Sequence, residues 1–137
     1  MKKRYIGTMV LASATLLLGG CGGKDVLDPD NPVSITVWHY YNGTQQAAFD
    51  SLVDEFNDTV GIERGIYVQG YSQGSVGDLE NALRASIAGE VGAADVPDIF
   101  ASYADTAYEF EEQGALANLS DYLSDDDLAQ YVDSYIE

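Results

Sequence analysis

The most regular alternation in the chain is Val33-Ser34-Ile35-Thr36-Val37-Trp38, a β-branched run of period 2 that predicts a strand. His39-Tyr40-Tyr41-Asn42-Gly43 ends it in a polar and aromatic loop. Thr44 is placed to cap a helix carrying Phe49, Leu52, Val53, Phe56 and Val60 at i, i+3, i+4, i+7 and i+11. Asp50, Asp54, Glu55 and Asp58 fall on its other faces. Asn42-Gly43 is also a hairpin signal, but helical period follows it, so the loop-to-helix reading wins. A second short strand, Ile66-Tyr67-Val68, is closed by Gln69-Gly70-Tyr71-Ser72-Gln73-Gly74. Ser75 and Asp78 have capping-box spacing ahead of the stripe Leu79, Leu83 and Ile87, and Gly89 stops that helix. Pro97 holds Val96 extended and opens a third strand, Ile99-Phe100-Ala101. A helix with Tyr108 and Phe110 follows, with Gly114 at its C′ stop. Leu116 and Leu119 come next. Ser124 then caps a last helix, Asp125 to Glu137, with Leu128, Tyr131, Val132 and Tyr135 on one face.

Strand and helix alternating three times argue an α/β fold with a parallel sheet and right-handed crossovers. Ligands of open α/β sheets bind outside the carboxyl ends of the strands. Polar and aromatic groups collect at those ends: His39, Tyr40, Tyr41 and Asn42 after the first strand, Tyr71, Ser72 and Gln73 after the second, and Ser102, Tyr103 and Asp105 after the third. The last helix is amphipathic to Glu137 with no stop signal, and three strands give helices thin cover. The chain is therefore expected to be part of something longer.

The first residues change the picture. Lys2, Lys3 and Arg4 precede an uncharged, mostly apolar stretch from Tyr5 to Leu18, shorter than the roughly 20 residues of a membrane span and suited to an export signal. Leu18-Gly19-Gly20-Cys21 resembles a bacterial lipobox, in which the cysteine is acylated and becomes the new N-terminus. Residues 1–20 are then a lipoprotein signal peptide, and 21–32, with its Asp28-Pro29-Asp30-Asn31-Pro32, an acylated tether. Residues 33–137 form the domain. Cys21 is the single cysteine, so no disulfide forms within the chain.

The 137 residues carry a net charge of −17. Beyond the signal, Lys24, Arg64 and Arg84 are the basic residues against 23 acids, a balance that excludes binding to nucleic-acid phosphates. It fits a soluble extracellular domain or a preference for cationic ligands.

With lipobox, tether and three βα units in place, the chain resembles the N-terminal part of the bacterial extracellular solute-binding proteins of family 1, the sugar-binding lipoproteins of ABC importers similar to maltose-binding proteins. The matching residues are Ile35-Thr36-Val37-Trp38 with its aromatic loop, Phe49 to Asn57, Val60-Gly61-Ile62, Leu79 to Glu90, Pro97-Asp98-Ile99-Phe100, and Glu111 to Leu119. Glu63-Arg64-Gly65 and Val91 to Val96 depart from the pattern, as insertions in loops.

The resemblance implies part of the first lobe of a three-layer, type II periplasmic-binding-protein-like fold, mainly parallel sheet with flanking helices. It implies capture of a carbohydrate or other small solute, delivery to permease subunits, a lipid anchor at the outer face of the cell membrane, and a monomer. Its first-lobe contacts would be Tyr40, Tyr41, Asn42, Ser102, Tyr103 and Asp105, with Tyr40 or Tyr103 as stacking face and Asp105 accepting two hydroxyls. Each also has a plainer role: Tyr40-Tyr41 covering the sheet edge, Tyr103 packing under the last helix, Asp105 capping a helix. Trp38 reads as core, Asp98 as the end of the link into the third strand, and His39 as a hydrogen-bonded structural residue. No cofactor or metal is implied, since Asp125-Asp126-Asp127 suits a helix first turn. No Gly-x-Ser-x-Gly, His/Cys metal spacing or nucleotide-type glycine loop points to an enzyme. Three further readings stay open: a polyamine or other cation binder of the same fold, a ferric-iron binder using paired tyrosines, and a surface lipoprotein without small ligand.

Overall fold

The structure, a computed structural model, describes residues 27–132. The signal peptide and Cys21 lie outside the described residues. Strands β1 (Val33–His39), β2 (Ile66–Ser72) and β3 (Ile99–Phe100) form one parallel sheet in the order β2-β1-β3. The helices are α1 (Gly43–Phe56), α2 (Ile62–Arg64), α3 (Val76–Ile87), α4 (Ala104–Glu112) and α5 (Asp125–Leu128).

The alternation of β1 sets the layers, because successive side chains leave a strand on opposite faces. Trp38 packs with Leu79 and Leu83 of α3 and Phe110 of α4, which together make the buried core. The next residue, His39, meets Phe49 of α1 on the other face, edge to ring at 4.7 Å. Helix α3 starts where the spacing predicts: Ser75 Oγ accepts from the Asp78 N–H, and the Asp78 carboxylate accepts from the Ser75 N–H. Helix α4 lies beside it. Arg84 reaches Glu109 with Nε and Nη2 at 3.0 and 2.9 Å, and the Thr106 hydroxyl donates to Glu80 at 2.9 Å.

Strand β3 is only two residues long, and Asp98 extends its pairing with β1. The Asp98 carboxylate accepts from both the Thr36 N–H (2.8 Å) and the Thr36 hydroxyl (2.9 Å), while Thr36 Oγ1 accepts from the Asp98 N–H. Asp98 thus ends the link into the strand, as its place after Pro97 suggests.

Four expectations need correction. Strand β2 does not stop at Val68. It runs through Gln69-Gly70-Tyr71-Ser72, because β1 offers a partner to every residue from Val33↔Ile66 to His39↔Ser72, and that ladder overrides local turn preference. Glu63 and Arg64 are not in a loop: a π turn over Asn57–Gly61 takes up the extra length and carries the helix on to Arg64. Gly61 is needed there, since a Cβ would sit 2.6 Å from the Ile66 carbonyl oxygen. In the same turn Asn57 faces the outer edge of β2, donating to the Val68 carbonyl (2.9 Å) and accepting from the Val68 N–H (2.8 Å).

The cap position of α1 belongs to Asn42 rather than Thr44, and its side chain spans to the Tyr40 and Gly74 carbonyls instead of capping. The apolar stripe of α1 narrows to half-buried Phe49, Val53 and Phe56, with Leu52 and Val60 exposed. Finally, the last helix is one turn, Asp125–Leu128, held by a Ser124–Asp127 capping box. Tyr131 and Val132 are exposed beyond it, with no packed face to prolong so short a helix. Tyr135 lies outside the described residues.

Candidate functional site

Parallel pairing sends the carboxyl ends of β1 and β3 to one rim, and the side chains just past them meet there. Tyr40 and Tyr103 stack with ring centroids 6.2 Å apart and planes 12° from parallel. Tyr41 sets its edge against Tyr40 at 5.5 Å and its face against His39 at 5.0 Å. Phe49 closes the row behind Tyr41 at 5.4 Å. The result is a continuous aromatic surface in which Tyr103 is exposed and Tyr40 half-buried. Tyr103 does not pack under a later helix: it serves as the N-cap residue of α4 and lies on Tyr40.

Hydrogen bonds fix the loop beneath these rings. Besides reaching the Tyr40 carbonyl at 3.0 Å, Asn42 Nδ2 donates to the Gly74 carbonyl at 2.8 Å, tying the β1 loop to the β2–α3 connection. Ser72 Oγ donates to the Tyr41 carbonyl at 2.9 Å, and the Gln73 N–H to the His39 carbonyl at 2.8 Å. The Tyr41 N–H donates to His39 Nδ1 at 3.2 Å. The Tyr103 phenol, as hydrogen-bonding and electrostatic neighbour, holds the Tyr40 hydroxyl above its ordinary pKa, so Tyr40 keeps its proton at physiological pH and can both donate and accept.

Of the six residues singled out in the sequence, Tyr40 is in ring contact with both Tyr41 and Tyr103. Asn42 buttresses them. Ser102 and Asp105 are exposed at the same strand end but turned to backbone: the Ser102 hydroxyl donates to the Tyr103 carbonyl at 3.0 Å, and Asp105 accepts from the Thr106 N–H at 2.9 Å. Among the described residues no group of three His, Cys, Asp or Glu is placed to hold a metal ion. No described helix is long and apolar enough to cross a membrane.

A second feature escaped the sequence reading. An open, largely apolar cavity of about 490 Å³ lies on the α3 side of the sheet, between Trp38 and Tyr71 on the strands and Ala82, Ala85 and Ser86 on α3. Trp38 is therefore both core and cavity wall. The signal was present in the run of small residues on α3 facing a strand with Thr36 and Trp38 on the same side, but size alone does not separate close packing from a gap.

This sheet with its flanking helices matches a fragment of a periplasmic-binding-protein-like domain. The crystal structure of a cyclic alpha-maltosyl-1,6-maltose binding protein from Arthrobacter globiformis is similar to it, with a TM-score of 0.62 and 30% sequence identity over 76% of this chain. The match covers 25% of that protein, so this chain spans about a quarter of its length. No protein-family model and no curated protein matches the chain.

Proposed function

We propose that this chain is part of the first lobe of a substrate-binding lipoprotein of an ABC importer, which captures a sugar or oligosaccharide outside the cell and delivers it to membrane permeases. The observation that carries the reading is the stacked pair Tyr40–Tyr103, supplied by two adjacent strands at their carboxyl ends. Such a surface offers ring faces to the C–H faces of a sugar and phenol groups to its hydroxyls. Asp105 presents a carboxylate at the same end, in the first turn of α4. The likeness to a cyclic alpha-maltosyl-1,6-maltose binding protein supports carbohydrate as the ligand class. A second lobe closing by a hinge would complete the enclosure, and acylation of Cys21 would keep the domain at the membrane surface.

The test is a titration of the full-length protein with linear and cyclic maltooligosaccharides, followed by intrinsic fluorescence, and then with spermidine. A saturable response to an oligosaccharide, weakened about five- to thirtyfold by Tyr103→Ala, is the expected result; stacking losses of about 1–2 kcal/mol correspond to that change. A response to spermidine alone would replace the sugar by a cation, and silence to both would remove the small-ligand reading.

A further inference from the structure

His39 closes the carboxyl end of β1 behind the aromatic surface, and its ring is 1% exposed. Because the Tyr41 N–H donates to Nδ1, that nitrogen is bare and the ring proton sits on Nε2. Nε2 is buried and has no hydrogen-bond partner among the described residues. The ring lies face to face with Tyr41, edge-on to Phe49, and 3.5 Å from the point a Cβ would occupy on Gly70. A neutral imidazole fits this socket. An imidazolium does not: its second proton would sit on Nδ1 and point at the Tyr41 N–H, donor against donor. Its charge would also stand among aromatic walls.

We propose that His39 is a positioning residue for the ligand surface, holding the Tyr40-Tyr41-Asn42 segment through its bare Nδ1, and that protonation of the ring releases this segment and weakens ligand capture in acidic solution. The capture half of the proposal rests on the reading of Tyr40 and Tyr103 as a ligand wall. The holding half rests on geometry alone.

The groups that face the ring bear on its titration. Asp50 of α1 favours the charged form, and Tyr41 faces it from the loop with its ring stacked at 5.0 Å. Strand β2 meets it with Gly70 and Ser72, neither of them charged. Burial outweighs Asp50 and holds the ring below the ordinary histidine pKa. The folded chain therefore keeps the neutral ring when the pH first drops below that ordinary value. The segment lets go only as the pH falls through the lower, folded value.

His39 is the one histidine of the chain, so its signals need no assignment by mutation. Proton–nitrogen correlation spectra of protein labelled with ¹⁵N-histidine read the tautomer directly. Hydrogen exchange of the Tyr41 amide, expressed as a protection factor, reads the hold. The expected results are the Nε2–H tautomer and a protection factor that drops about five- to tenfold as the ring titrates, the equivalent of one lost hydrogen bond. His39→Asn keeps an acceptor near the Nδ1 position without a titrating ring, and its Tyr41 protection should be flat across the same range. Oligosaccharide affinity should fall through the ring titration in the parent protein and stay level in His39→Asn. An Nδ1–H tautomer, or Tyr41 protection that ignores the ring titration, overturns the hold. Equal pH dependence of affinity in parent and His39→Asn overturns the link to capture. A protein that takes no sugar would refute the carbohydrate reading while the tautomer and exchange data still decide the role of His39.

Discussion

Replacing Gly70 by alanine places a methyl carbon 2.8 Å from Phe49 Cε1 and 3.5 Å from His39 Nε2. Carbon atoms rest at about 3.5–4.0 Å, so the Phe49 ring would have to retreat by roughly an ångström. It has little room to do so, because His39 stands edge-on at 4.7 Å and Tyr41 lies at 5.4 Å. Overpacking of this kind costs about 1–3 kcal/mol. Against it stands the gain of about 0.5–1 kcal/mol from removing a glycine from a strand interior, where the Gly70 backbone has no positive φ that alanine would resist. The net expectation is a loss of about 1–2 kcal/mol. Urea unfolding should show a lower midpoint at unchanged slope. The double variant Gly70→Ala/Phe49→Ala should be less destabilised than the sum of its parts, by about 0.5 kcal/mol or more, because the truncated ring no longer meets the methyl. A neutral or stabilised Gly70→Ala would refute the picture of a tight His39–Phe49–Gly70 contact.

The remaining predictions concern the other face of the sheet. Phe110 is fully buried in the core with Trp38, Leu79 and Leu83, so Phe110→Ala should cost about 3–5 kcal/mol in the same urea assay, and a loss below about 1 kcal/mol would place the core elsewhere. Asp98, by accepting from the Thr36 N–H and hydroxyl, has its carboxyl held below the usual range. Its folded pKa is depressed, so the stabilisation is present above the unfolded value and is lost as the pH falls through the folded one. Thermal melts from neutral to acidic pH should show the parent losing an advantage over Asp98→Ala of about 1 kcal/mol, kept small by exposure. An advantage unchanged down to the lowest pH would remove the carboxylate from that role.

Much of this arrangement is legible in local sequence because local physics decides it. The Ser75–Asp78 box, the Leu79–Leu83 stripe and the Pro97-Asp98-Ile99-Phe100 entry into β3 each depend on residues a few places apart. What local sequence hides is non-local. Gln69-Gly70-Tyr71-Ser72 has turn composition, yet seven paired positions on β1 keep it a strand. The π turn that absorbs Glu63 and Arg64 has no periodic signature of its own. Tyr40 and Tyr103 are both visible as strand-end aromatics, but their stacking depends on β1 pairing with β3, which places positions 63 residues apart side by side. The buried His39 carries no local sign of its half-satisfied ring, because burial is a property of α1 and β2 packing against it.

Asn57 has a consequence beyond its own turn. Its carboxamide gives Val68 the same donor and acceptor that another strand would give, at a position where, among the described residues, the sheet would otherwise be open to extension. An outward-facing row of free backbone groups is where molecules zip together into aggregates. A side-chain amide seated mid-row interrupts that zipper at little structural expense, so sheet growth by a second molecule along β2 meets a plug at its third residue.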